Sequence, residues 1–371
     1  MVALSVSPVR YRERALSIAF LACSRNPRLF QKDPSFVYRC ENLGLALQAK
    51  GHRVSWLHWS ALVPRQRFDV VVFHRPRCSL LWRSVLWWLR RQGTTLVADV
   101  DDLIFDTALA QHSPGVLNGL VGLPKMRKQF AEHAAALACF DQVTVSTQEL
   151  AAHVHRCFPQ AAVLVLPNAV HMTWRAAGKN GGAQLRQPVV TYFPGTRSHD
   201  RDFAVYRDGV EGFLAANANA RLAVTGPLRF AISARPGQVV HHDKVPFADY
   251  AERVQSAWVN LAPLESTVFT RCKSALKILE AGFWGKPTVC SPLSDAQRFA
   301  SAGAVFAADA PACCAALQAL LVPAYYAAIT HGLSARVLAQ ADARQAADAF
   351  LEFVGAKSAF PAGPSSGGTP V

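Results

Sequence analysis

The 371-residue chain is 51% hydrophobic and only 17% charged, which excludes a largely disordered polypeptide and, at roughly 150–200 residues per domain, provides for about two domains with real cores. Its 39 Lys and Arg against 25 Asp and Glu leave a formal charge of +14, which calls for an anionic partner: a nucleotide, a lipid phosphate, a membrane surface or nucleic acid. The nine cysteines (23, 40, 78, 139, 157, 272, 290, 313 and 314) are odd in number and contain no C-x-x-C pair, so they read as reduced thiols of a cytoplasmic protein and argue against a zinc site.

At the N-terminus Arg10, Arg12 and Arg14 precede an apolar run, 15–23. That run is too short for a bilayer span of roughly 20 residues, so a first core strand is expected over 16–22. A helix over 39–50 ends at Gly51, and strands follow at 53–58 and 69–73. The pattern continues with a helix over 80–91, a strand over 94–100, a helix over 125–139 and strands over 142–146 and 162–166, with a helix between them starting near Thr147. Strands alternating with helices in this way predict a doubly wound parallel sheet.

Residues 178–187 (GKNGGAQLRQ) are polar and glycine-rich and read as a linker or exposed loop. The alternation then restarts, with strands at 189–193, 221–225, 239–241, 258–262 and 287–290. Helices are expected over 202–216, 247–256, 275–284, 312–321 and 341–354. Two α/β units therefore stand in tandem, 1–182 and 183–355, with a disordered Gly-, Pro- and Ser-rich tail over 356–371. Ligands of such sheets bind at the carboxyl ends of strands, and with two sheets the natural site is the cleft between them.

Two segments of the second unit repeat one arrangement, strand then loop then helix. In NLAPLESTVFTRCKSALKILEAGFWGKPTVCSP (260–292) a strand ends near Ala262, Arg271, Cys272, Lys273 and Ser274 occupy the loop, and a helix begins at about Ser274. Free N–H groups and the helix dipole make such a terminus an anion site, and two cationic side chains beside it suit a diphosphate. Glu280, two turns along, is placed to accept hydrogen bonds from a ribose diol. Spacing alone leaves open an ordinary helix with a surface Lys and Glu. In TYFPGTRSHDRDF (191–203) Gly195 permits a tight turn, and Thr196, Arg197 and Ser198 offer donors before a helix near Asp202. A cap at Ser198 or Asp200 is the alternative, and it leaves Gly195, Arg197 and His199 without a role.

These segments, with LAVTGPL (222–228), DPSFVYRCENL (33–43), DVDDLIFD (99–106), VSTQEL (145–150) and LPNAV (166–170), resemble the GT-B glycosyltransferases, especially the family 4 type of bacterial polysaccharide and lipopolysaccharide assembly. The resemblance runs over about residues 15–355. It implies two Rossmann-like domains facing across a cleft, the first binding an acceptor and the second a nucleotide-diphosphate sugar. It implies a glycosyltransferase moving that sugar to a glycan or lipid-linked acceptor with retention of configuration. Lys273 and the Gly195–Thr196–Arg197 loop would hold the diphosphate, with His199 and Ser274 in the same donor site, and Glu280 would bind the ribose. Family members often carry a Glu where this chain has Cys272, so the contact with the transferred sugar falls to Lys273, Ser274 or Glu265. A catalytically inactive subunit of the same fold is the alternative.

In the first unit His74 and Arg75 end one strand, and Asp99, Asp101 and Asp102 end the next. Asp101 or His74 is expected to orient the acceptor hydroxyl and take its proton, with Lys273 as the third catalytic group, and Arg39, Arg75 and Asp102 are assigned to the acceptor. Asp99–Val100–Asp101 also reads as a D-x-D metal site or as a helix cap. No metal or cofactor is expected, because Lys273, Arg197 and helix ends can stabilise the departing diphosphate. Trp82, Trp87 and Trp88 in LLWRSVLWWLRR (80–91) sit either in the first core or at a lipid surface, the second giving peripheral contact with the inner membrane. No helix-turn-helix, zinc-finger or RNA-binding signature supports nucleic acid.

Overall fold

A computed structural model describes residues 14–176 and 187–355 apart from Arg25, Pro64 and Arg229. The linker expected over 178–187 falls almost wholly outside the described residues, as do the 182/183 boundary and the 356–371 tail.

The first sheet contains β1 (Ser17–Ala22), β2 (Arg53–His58), β3 (Val70–His74), β4 (Thr95–Val100), β5 (Gln142–Val145) and β6 (Ala162–Val165). The second contains β7 (Val189–Tyr192), β8 (Arg221–Thr225), β9 (Val239–His242), β10 (Val259–Ala262), β11 (Thr288–Cys290) and β12 (Ala304–Phe306). All paired strands run parallel, in the orders β2-β1-β3-β4-β5-β6 and β12-β11-β10-β7-β8-β9. Central strands such as β3 (VVVFH) are buried at every position, because helices cover both faces of the sheet and leave no side for alternating polar residues.

The strand order reverses between β1 and β3 in the first sheet and between β7 and β10 in the second. At those points adjacent crossovers leave in opposite directions and open a crevice above the carboxyl ends. His74 ends β3, and the 193–202 loop follows β7, so both candidate segments lie at switch points.

Packing corrects two expected helices and decides one open alternative. The helix expected from residue 39 begins at Pro34–Phe36, capped by the Asp33 side chain on Ser35 N, and passes through a π-helical turn, Val37–Glu41, before Asn42–Ala49. The helix expected over 202–216 is broken into Asp200–Ala204 and Arg207–Ala216, since Phe203 and Tyr206 both turn into the core and the Tyr206 hydroxyl donates to Ala307 O (2.6 Å). Of the two places open to the tryptophans of 80–91, Trp82 takes the core, fully buried against Phe73 and Phe140.

The last helix, Ala343–Gly355, returns to the first sheet. Ala343, Ala347, Phe350 and Val354 pack with Ile18, Phe20 and Leu47, and Gln142 Nε2 donates to Phe353 O (2.8 Å). The last residues expected in the second unit thus pack in space with the first. Phe350→Ala is expected to lower the unfolding free energy by about 3–5 kcal/mol, the usual cost of emptying a buried aromatic site, while Glu352→Ala on the exposed face of the same helix should cost under about 0.5 kcal/mol. Urea unfolding of the two variants checks this.

Candidate active site between the two sheets

The Asp99 carboxylate, at the end of β4, is 2% exposed. It accepts from Arg39 Nη2 (2.6 Å), His74 Nδ1 (2.8 Å) and Thr144 Oγ1 (2.7 Å). Burial pushes its pKa up, but Arg39 and His74 outweigh burial and hold it below the ordinary value. The other nitrogen of His74 meets Ser35 Oγ (2.9 Å), and Ser35 donates to Asp101 Oδ2 (2.5 Å). An unbroken chain Asp99–His74–Ser35–Asp101 therefore runs along the carboxyl ends of β3 and β4.

Arg75 has a φ of +50°, unusual for a side chain with a Cβ. This turn aims its guanidinium at Asp101 Oδ1 (2.6 Å) and Asp102 Oδ2 (2.9 Å). Asp101 is driven well below the usual carboxylate range: burial opposes ionisation, and Arg75, His74 and Ser35 overcome it. The other oxygen of Asp102 accepts from Lys273 Nζ (2.5 Å), which comes from the second half. One carboxylate thereby joins the two switch points.

Around Lys273 the segment is built against the first half. Phe269 and Cys272 belong to the first half's apolar core, and Thr147 Oγ1 donates to Cys272 O (3.0 Å). Burial pushes the Cys272 thiol up to about 12. Asn168 Nδ2 donates to Ser274 Oγ (2.9 Å). The helix after this loop is Leu276–Phe283. Its leading amide, Ala275 N, is taken by Asp295 Oδ2 (2.7 Å), so this donor is not open to an anion. Glu280 is buried, and its oxygens accept from Tyr38 OH (2.6 Å), of the first half, and Tyr250 OH (2.9 Å). Burial lifts its pKa to about 7 against the pull of both phenols and of Lys277.

The loop after β7 leads into a 3-10 turn, Arg197–His199. Gly195 has no positive φ and open space where a Cβ would stand, so its proposed steric role is not what shapes the loop. Gly226 does that, at φ +127° with its Cβ position 2.2 Å from Pro194 O. Thr196 Oγ1 meets Ser198 Oγ (2.6 Å), and His199 Nδ1 meets Asp202 Oδ2 (2.8 Å). Arg197 Nε is buried with no hydrogen-bond partner, and its nearest ion-pair oxygen is on Asp200 at 3.9 Å. Asn118 of the first half binds this loop, donating to Ser198 O (2.9 Å).

The structure thus brings His74, Arg75, Asp101, Asp102 and Lys273 into one network, with Ser274 beside it. Gly195, Thr196, Arg197 and His199 lie on the neighbouring loop, and Arg39 is buried beneath as the partner of Asp99 rather than open to a ligand. Sequence reading missed Ser35, Tyr38, Tyr250 and Asn118, which only the fold brings in. It also missed Lys277, in the first turn of the helix that follows the Lys273 loop. Lys277 is half-buried, and among the described residues no carboxylate lies within ion-pairing distance of it. Burial lowers its pKa, with Lys273 adding to the effect against Glu280 and Asp202.

Among the described residues Cys40, His74 and Asp99 are the group whose ligand atoms approach within 4.8 Å of one another, as a metal site requires. The Arg39 guanidinium already occupies Asp99, and burial holds the Cys40 thiol well above its usual value, so the cluster suits no cation. A cavity of about 160 Å³ opens beside His74, lined also by Asp33, Phe36, Arg75, Arg77 and His133.

No protein-family model matches the chain, and no curated relative matches it by sequence. Solved structures do match. Sucrose-phosphate synthase from Thermosynechococcus elongatus superposes with a TM-score of 0.58 at 15% identity, over 92% of this chain and 99% of that one. A glycosyltransferase involved in avilamycin A biosynthesis gives 0.57 at 15% identity, over 91% and 97%. Anabaena HepE in complex with UDP and glucose gives 0.53 at 12% identity, over 93% and 100%. The architecture is the GT-B fold, two Rossmann-like units facing across a cleft.

Between the ordinary carboxyl pKa of 4.5 and about 7, folded Glu280 holds its proton while the unfolded chain releases it, so stability falls as pH rises through that window. Thermal melts from pH 4.5 to 8 should show this fall in the parent and a flatter profile in Glu280→Gln. Parallel profiles would refute the raised pKa.

Proposed function

We propose that the protein is a retaining glycosyltransferase of the family 4 type, moving a sugar from a nucleotide-diphosphate donor to a glycan or lipid-linked acceptor in surface polysaccharide or lipopolysaccharide synthesis. The observation that carries this reading is the meeting of Lys273 and Asp102 where the two crevices face each other. It sets a cationic surface of the second half against an acid–base chain of the first.

When the sugar–phosphate bond breaks, negative charge develops on the diphosphate. Lys273, Lys277, Arg197 and Thr196 face that charge from two elements, and each charge-assisted bond is stronger at the charged leaving group than at the bound ester. Donor binding exchanges the Asp102 carboxylate on Lys273 for a phosphate oxygen. The ribose diol displaces a phenol from Glu280. On the acceptor side, a hydroxyl in the cavity beside His74 is oriented by the His74 ring and gives its proton to His74 Nε2 as Ser35 turns away, with Asp99 holding the ring through Nδ1. Retention rests on the motif resemblance. The UDP in the HepE complex supports a nucleotide donor. No metal or cofactor is required in this scheme.

Cys272 favours a second reading, a non-catalytic subunit of the same fold. The position that carries an acid in the resembling family here holds a thiol packed into the first half's core. Release of nucleotide from a donor panel separates the two: turnover by the purified chain supports the enzyme, and donor binding without turnover supports the subunit.

Stabilisation by nucleotide sugars should appear as a concentration-dependent rise in Tm. Lys273→Ala and Lys277→Ala should each weaken donor binding about tenfold to a hundredfold, from loss of one charge-assisted bond worth about 1.5–3 kcal/mol. Glu280→Ala should abolish the shift and Tyr38→Phe should preserve it. A full shift in both lysine variants would sink the donor-site assignment.

A further inference from the structure

Helix Leu80–Arg91 buries Trp82, Leu86 and Leu89 and turns a different set outward. Leu80 is 85% exposed, Leu81 66% and Trp87 61%, the most exposed large apolar side chains among the described residues. Leu80, Arg83, Trp87 and Arg91 recur at three- and four-residue intervals and so form one stripe. The Arg91 guanidinium lies over the Trp87 ring, 5.0 Å from its centroid. Arg90 is exposed beside it. No Asp or Glu occurs between residues 77 and 98, nor between 107 and 131.

A second helix, Leu123–Leu137, extends this surface. Cys78 N donates to Glu132 O (3.0 Å), and Arg90 bonds Cys139 O, so the two helices run side by side in the same direction from residue 132 onward. The first two turns of the second helix therefore project past the Leu80 end, carrying exposed Lys125, Arg127 and Lys128. Burying Leu80, Leu81 and Trp87 in an acyl boundary gains the transfer free energy that the fold leaves unused, while the cations sit at the level of lipid phosphates. A purely polyanionic partner would need the arginines and gain nothing from the leucines.

We propose that this face docks on an anionic lipid bilayer. Arg77, just before the first helix, and His133, within the second, line the cavity beside His74, so docking would place that cavity near the lipid surface, where a lipid-linked acceptor would present its sugar. The docking stands on the exposed stripe alone. Its link to an acceptor rests on the transferase reading.

The test uses the full chain with vesicles of phosphatidylcholine alone or mixed equally with phosphatidylglycerol. Co-sedimentation is expected with the mixed vesicles only, weakening as salt is raised. The double variant Leu80→Ser/Trp87→Ser and the charge reversal Arg83→Glu/Arg91→Glu should each reduce partitioning at least tenfold. Both should keep the parent's circular dichroism and its donor-dependent thermal shift, so loss of docking is distinguishable from loss of the donor site. No sedimentation of the parent, or equal sedimentation of parent and both variants, overturns the proposal. So does a parent dimer, seen by light scattering, that the double variant dissolves, because the stripe is then a self-association surface.

Discussion

The buried carboxylate of Asp99 is the point on which the site depends. An ionised group in that position is tolerable only if its lone pairs are filled, and Arg39, His74 and Thr144 fill them from three separate elements. Removing one partner would leave a buried charge uncompensated, at a cost of about 3–5 kcal/mol. The same bonds fix the π-helical turn that carries Arg39, the ring of His74 and the end of β4. With β4 fixed, Asp101 and Asp102 emerge at a set height above the sheet. From there Arg75, bent into a positive φ, aims them at Ser35 and at Lys273.

Contacts across the cleft are of two kinds. Some are apolar, such as Phe269 and Cys272 seated in the first half's core and the last helix lying against β1. Others are polar and exchangeable: Lys273 on Asp102, the two phenols on Glu280, and Asn118 on the loop after β7. The exchangeable ones sit where a charged ligand would compete for the same groups. Under the proposed function, a donor diphosphate would offer Lys273 more negative charge than Asp102 does, and a ribose diol would offer Glu280 the same kind of donor as Tyr38.

Much of the fold was legible because parallel strands buried on both faces are continuous apolar runs. Eleven expected strands match observed ones within a residue or two, and β12, three residues long, carried too little signal to be found. Helix boundaries were less legible. The start at Pro34 depends on a cap by Asp33, and the break after Ala204 depends on a core that Phe203 and Tyr206 both enter. Among the described residues no single helix is long and apolar enough to cross a membrane. The Trp-rich helix shows the limit of composition, since Trp82 and Trp87 are indistinguishable by type and the packing of one face sends them to opposite environments.

By itself the sequence determined two α/β units, the strand-end positions of His74, Asp101, Lys273 and the Gly195 loop, and the basic character of the chain. These follow from local periodicity and from charge, which need no knowledge of distant contacts. Only the tertiary structure decided what those residues meet. It gave Arg39 to Asp99, inserted Ser35 between His74 and Asp101, capped Glu280 with phenols from both halves, and passed the shaping role from Gly195 to Gly226. Each of these pairs is far apart in sequence or set by crowding, and hydrogen-bond geometry and steric exclusion exist only once the two sheets have packed.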